Sequence, residues 1–226
     1  MLPLRDNVPT RSFPLVTVAL IAVNVLVWVF YELPDLNGSV NSLAFHPCEV
    51  DGSCQVVGHG WLLTAVTSMF MHGSWSHLLG NMLFLWIFGN NVEDALTSFR
   101  YFVFYILGGL AATATQTFVT LMYASDFDAT IPNLGASGAI SAVLGAYLVL
   151  LPHARVLTLI IFILREVPAV LFLGIWFGFQ LLDGGTSLAH PEAGGGVAFF
   201  AHIGGFVFGV ATVKLFQKRQ PLAPVY

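Results

Sequence analysis

Apolar and polar positions along the 226 residues fall in long blocks rather than in alternation, and the block lengths give the first reading. Residues 13–33 form an apolar run of about the 20 residues that carry a helix across a bilayer. Further runs at about 77–93, 101–122, 134–151, 168–182 and 197–216 predict five more spans. The second closes on Asn90, Asn91, Glu93 and Asp94, the fourth stops before Pro152-His153-Ala154-Arg155, and Pro168 suits the first turn of the fifth. Two pieces are apolar but too short to cross. Trp61 to Met71, broken by Thr64, Thr67 and Ser68, reads as interfacial or partly re-entrant within an outer loop of about 34–76. Val156 to Leu164, ending at Arg165-Glu166, reads as an interfacial return.

The pattern predicts an all-α, polytopic bundle of six helices forming one membrane domain over 1–226. A cleaved signal peptide would need small residues after the first run, and Tyr31-Glu32-Leu33-Pro34-Asp35 offers none. Acidic Tyr123 to Asn133 and glycine-rich Asp183 to Gly196 are read as loops. Composition strengthens the picture: a mean hydropathy of +0.81, with 57% apolar and only 9% charged residues, does not fit a soluble surface. The lipid bilayer is therefore an expected partner, and with no basic stripe a nucleic acid is not. Cys48 and Cys54 sit in one polar connection and could close a small disulfide loop outside the cytoplasm, or remain two thiols.

Charge then orients the bundle. Six crossings put both termini on one side, together with all eight basic residues: Arg5, Arg11, Arg100, Arg155, Arg165, Lys214, Lys218 and Arg219. The other side receives Glu32, Asp35, Glu49, Asp51, Asp126, Asp128, Asp183 and Glu192. Lys and Arg mark the cytoplasmic side, so both termini are expected there, in a plasma (bacterial inner) membrane. No charged side chain falls in mid-membrane, which disfavours an ion pathway or transporter.

Polar residues at one depth now matter. His72, His77, Asn81, Ser137 and His202 all fall in the outer leaflet, where each is costly unless it lines a hydrated cavity or finds a partner. His77 and Asn81 stand at i and i+4 on one face. Small residues recur every four positions at Ser137, Ser141 and Gly145 on the fourth span and at Gly205 and Gly209 on the sixth, one turn after His202. Such faces let backbones approach closely and would bring His202 to Ser137. A serine hydroxyl needs a base to become a nucleophile, and neutral imidazole serves near pH 7. The oxyanion then needs fixed donors: the N–H groups at the start of the fourth span, with His77 and Asn81 beside them. No cofactor or metal ion is expected, because no His-Glu-x-x-His pattern exists, and no aspartate lies inside a span to make a two-aspartate protease.

These residues resemble the rhomboid family of intramembrane serine proteases. The matching pieces are His72-x4-His77-x3-Asn81 on the second span, Gly135-x-Ser137-Gly138 opening the fourth, and Ala201-His202-x2-Gly205-x3-Gly209 on the sixth. The resemblance implies a Ser137-His202 dyad without a third carboxylate. It also implies an oxyanion hole of His77, Asn81 and the Ser137 N–H, with His72 supporting, a structural Glu93, a first loop lying sideways in the outer leaflet, and a fifth span acting as a lateral gate. Transmembrane protein substrates with one span, cut near the outer surface, are implied as partners. Two positions depart from the family pattern: Ser141 stands where an aromatic residue often stacks on the histidine, and Trp61-Leu62 replaces a Trp-Arg pair. The alternative function is a catalytically silent relative that binds membrane clients.

Overall fold

The computed structural model describes residues 1–54, 59–189 and 198–225. Glu192, the Gly194-Gly195-Gly196 run and Val197, read above as an outer-side loop and the start of the sixth span, lie outside the described residues. The chain is mostly helical. Four stretches among the described residues are long and apolar enough to cross a membrane: Leu15–Glu32, Ser98–Tyr123, Ala169–Leu188 and Phe199–Phe216. The first comprises α1 (Leu15–Val27) and a π-helical end, Trp28–Glu32. Short helices α2 (Leu36–Leu43), α3 (Cys48–Asp51) and α4 (Trp61–Thr67) fill the following connection, and a 3-10 turn, Ser68–Phe70, ends it. Then come α5 (Trp75–Leu96), α6 (Ser98–Tyr123), a one-turn α7 (Asp126–Ala129) and α8 (Ser137–Leu150). The last two helices among the described residues are α9 (Ala169–Ala189) and α10 (Phe199–Phe216).

Polar Ser76, His77, Asn81, Asn90, Asn91, Glu93 and Asp94 dilute the apolar character of α5, and α8 is only about 21 Å long. Yet α8 is buried almost throughout, and its glycines explain how α10 reaches it. A Cβ on Gly205 would collide with the Gly138 carbonyl, one on Gly209 with the Ala142 carbonyl, and one on Gly145 with the Phe206 carbonyl. Each helix thus lacks side-chain bulk where the other's backbone lies, the close approach that small residues permit.

The all-α expectation needs correction at one end of the bundle. Residues ahead of the first apolar run form β1 (Leu2–Asp6), and the expected interfacial return is a hairpin of β2 (Arg155–Ile160) and β3 (Ile163–Pro168). The three pair antiparallel in the order β1-β2-β3. Val156 and Thr158 are buried while Arg155 faces out, the period-2 burial of a half-covered strand. A β-branched run of this length suits a strand once a partner exists, and that partner comes from the opposite end of the sequence.

A second correction concerns the fifth span, whose helix continues past Leu182 through Gly184-Gly185 to Ala189. Gly184 is buried, its open face set against Phe199, Phe200 and Ile203 of α10, and this packing offsets its poor helix propensity.

Polar groups lock the sheet end together. Glu93 accepts hydrogen bonds from the Val16 and Thr17 backbone N–H groups (2.9 and 2.8 Å), the Thr17 hydroxyl (2.8 Å) and the Ser98 hydroxyl (2.6 Å). It thereby satisfies orphan donors in the first turn of α1, where negative charge is favoured. Arg11 pairs with Asp94, and the Lys218 and Arg219 N–H groups donate to the Ala95 carbonyl.

Tyr147 donates to Asp6 at 2.6 Å, while burial pushes the Asp6 carboxyl up to about 6 despite that bond. The unfolded value is about 3.9, so between roughly pH 4 and 6 the folded chain holds a proton the unfolded chain has released. This stabilisation is full below that window and is lost as the pH rises through about 6. In detergent the Tm is expected to fall by a few degrees from about pH 4.5 to 7, and Asp6→Asn flattens the slope. An unchanged slope in the variant would remove Asp6 as its source.

Candidate active site

The site is assembled around the entry to α8. Gly135 adopts φ +126, which disfavours any residue with a Cβ, and a Cβ there would lie 2.7 Å from His77 Nε2. Its N–H donates to the Ser68 carbonyl at 2.9 Å, and two residues earlier Asn133 and Phe45 exchange backbone hydrogen bonds of 2.7 and 3.0 Å. The connection between α1 and α5 therefore holds the mouth of α8 in place. Within that connection Cys48 and Cys54 form a disulfide, the first of the two options the sequence left open.

Ser137 is the first residue of α8, so its N–H and those of Gly138 and Ala139 have no acceptor within the helix, and the first helical bond runs from Ile140 N–H to the Ala136 carbonyl. Gly138 faces Ala112 of α6, leaving no room for a Cβ. His202, in the first turn of α10, brings Nε2 to 2.8 Å from Ser137 Oγ. On the far side of the ring, Nδ1 lies 2.7 Å from Gln180 Oε1 of α9. Trp176, one turn before Gln180, places its ring centroid 6.0 Å from that of His202 at 40°.

His77 sits in the first turn of α5 with its N–H capped by the Ser74 hydroxyl at 3.2 Å. The Gly73 N–H approaches its Nδ1 at 3.5 Å. Asn81, one turn on, is buried, and its amide nitrogen meets His72 Nε2 at 3.0 Å. His72 precedes α5 rather than lying on it, since the helix begins at Trp75. It is fully buried, its ring 5.0 Å from that of His77. Burial first, and the His77 ring second, hold its pKa down at about 3, so it is neutral and its Nε2 accepts from Asn81. Glu32, read above as lying on the acidic side at the end of the first span, is fully buried at the π-helical end of α1 and accepts the His72 N–H at 2.7 Å.

A cavity of about 240 Å³ adjoins the dyad, its lining combining His77, Asn81, Ser137 and His202 with apolar Phe84 and Trp176. All five polar residues singled out in the sequence thus meet in one region, with Gly135 and Gly138 shaping it, while Glu93 belongs to the opposite, sheet end. Sequence reasoning missed Gln180, Trp176 and Glu32. Gln180 carried a signal, an amide inside an apolar run, which is costly without a partner.

A base, a hydroxyl and several N–H donors around one cavity are the parts required for nucleophilic attack on a carbonyl. Comparison with known proteins points to one family. A model described as the rhomboid domain matches residues 59–219. Rhomboid protein 1, mitochondrial, of Saccharomyces cerevisiae is 30% identical over 200 residues, covering 85% of this chain and 50% of that protein. The human presenilin-associated rhomboid-like protein, mitochondrial, is 27% identical over 219 residues, 92% of this chain and 51% of its own. Rhomboid-like protein 11, chloroplastic, of Arabidopsis thaliana is 29% identical over 160 residues, covering 68% and 52%. The chain spans about half the length of these relatives.

Proposed function

As this chain belongs to the rhomboid family, we propose that it is an intramembrane serine endopeptidase that hydrolyses peptide bonds in the transmembrane segments of single-span membrane proteins. The observation that carries the reading is the 2.8 Å contact between Ser137 Oγ and His202 Nε2 at the edge of the cavity. His202 Nε2 takes the hydroxyl proton as Oγ attacks the scissile carbonyl carbon. The negative charge on the former carbonyl oxygen is met by the Ser137 N–H, the His77 ring and the Asn81 amide, which has a second hydrogen beyond the one given to His72. His202 then hands its proton to the leaving nitrogen, and water releases the acyl group by the same steps in reverse.

The reading takes 1–226 as one membrane domain of six spans, α5 and α8 joining the four long apolar helices. Support comes from the sheet end: Arg5, Arg155 and Arg165 lie on its strands, Arg11 pairs with Asp94, Arg100 donates to the Phe216 carbonyl, Lys214 stands in the last turn of α10, and the Lys218 and Arg219 N–H groups donate to the Ala95 carbonyl. That end with both termini is assigned to the cytoplasm. The Cys48–Cys54 disulfide stands in the connection tied to the α8 mouth, in keeping with an oxidising, extracytoplasmic face such as that of a bacterial inner membrane. Substrate would enter beside α9, whose Gly174 and Gly178 face open space.

The test uses the full chain in proteoliposomes, with a fluorophosphonate probe and a fluorescent single-span substrate. Labelling is expected at Ser137, read by mass spectrometry of the modified peptide, together with cleavage near one end of the substrate's membrane segment. A protein that binds the substrate yet neither labels nor cleaves would fit client binding and sink the protease reading.

A further inference from the structure

His202 is held from two helices at once: Ser137 of α8 meets Nε2, and Gln180 of α9 meets Nδ1 at 2.7 Å through its amide oxygen. A neutral imidazole carries one proton, and an amide oxygen only accepts. The proton therefore sits on Nδ1, leaving the Nε2 lone pair facing the serine hydroxyl, the tautomer a general base requires. We propose that Gln180 is a positioning residue of the dyad, fixing the tautomer and ring plane of His202 from the place that a carboxylate occupies in a Ser-His-Asp triad. The proposal rests on the serine-protease reading.

Three observations converge on α9 as the support. Ser141, one turn after Ser137, turns its hydroxyl back to the Ser137 carbonyl at 2.6 Å, so α8 contributes no ring to hold the imidazole. Trp176 and Gln180 stand at i and i+4, so one face of α9 supplies both the neighbouring ring and the acceptor. An amide also orients the imidazole without burying a second charge at membrane depth, where an unpaired carboxylate would be costly. Because the acceptor is on α9 and the nucleophile on α8, the base is correctly set only while α9 is seated against α10. Trp176 and Phe177 seat it there, their rings against Phe206 of α10, while Gly174 and Gly178 turn to the open side.

The test compares wild type, Gln180→Met, Gln180→Glu and Ser137→Ala as full chains in proteoliposomes. Gln180→Met keeps the length and removes the acceptor, so kcat is expected to fall roughly 10- to 100-fold. KM should stay within about twofold and Tm within a few degrees. Gln180→Glu keeps an acceptor and should recover most of the lost kcat. Independently of activity, the 15N shifts of labelled His202 should report a protonated Nδ1 in wild type and a tautomer mixture in Gln180→Met. Wild-type kcat in Gln180→Met, or a protonated Nε2 in the wild-type protein, overturns the role of Gln180. If wild type is no faster than Ser137→Ala, it is the protease reading that fails, and the 15N spectra still decide the tautomer.

Discussion

On the proposed mechanism, replacing Ser137 or His202 by alanine is expected to lower cleavage of a single-span substrate by roughly 10⁴-fold or more, with the double variant no slower than either single one. Both effects follow from one 2.8 Å contact. Without Oγ no acyl-enzyme forms. Without the imidazole the hydroxyl keeps its proton, and its nucleophilicity falls to that of an ordinary alcohol. The two losses therefore do not add, because each removes the same step. Ser137→Ala deletes a single oxygen at the first position of α8 and leaves the Ser137 N–H donor in place, so Tm should stay within a few degrees of wild type. Initial rates on a fluorescent substrate, with thermal melts of each variant, check the claim. A single variant keeping a tenth of the wild-type rate, or strictly additive losses in the double variant, would contradict a dyad acting as a unit.

Gly205→Val is the second large effect, and it acts on the dyad without touching it. A Cβ at this position runs into the Gly138 carbonyl, which is backbone of α8 and cannot rotate aside as a side chain would. The helices must separate, and overpacking of this kind costs about 1–3 kcal/mol or more. His202 lies on the same helix one turn away, so its Nε2 moves off Ser137 Oγ by a comparable amount. A misplacement of about 1 Å at a reacting group can cost on the order of 100-fold in rate. The expected result is at least that loss in kcat/KM, with Tm lowered by several degrees. Val207→Ala, on an exposed face of the same helix, serves as the control and should leave both unchanged. A Gly205→Val protein with wild-type rate would show that the α8–α10 approach does not set the dyad distance.

Much of the site was readable because its signals are local. The i, i+4 pair His77 and Asn81, the Gly135-Ala136-Ser137-Gly138 entry, and the small-residue faces on α8 and α10 are properties of a helix and its immediate neighbours. Boundaries were less readable where packing overrode propensity. Gly184-Gly185 reads as a helix end, yet the α10 side chains beside Gly184 keep α9 helical to Ala189. Likewise, His72 matches a pattern on the second span but sits before α5, because its N–H is held by Glu32 rather than by a helical carbonyl.

By itself, the sequence determined that long apolar stretches dominate the chain, which residues are basic, and which serine and histidine stand at helix entries, because hydropathy and short-range periodicity are written in consecutive residues. The tertiary structure alone decided three pairings between residues far apart in the chain. The β1 strand at Leu2–Asp6 turned an apolar return at 155–168 into a sheet. Glu32 at the end of the first span anchors His72, and Gln180 reaches Nδ1 of His202. In each case a polar or β-branched group has its cost met by a partner that no local pattern names, since the contact depends on how whole helices pack rather than on spacing within any one of them.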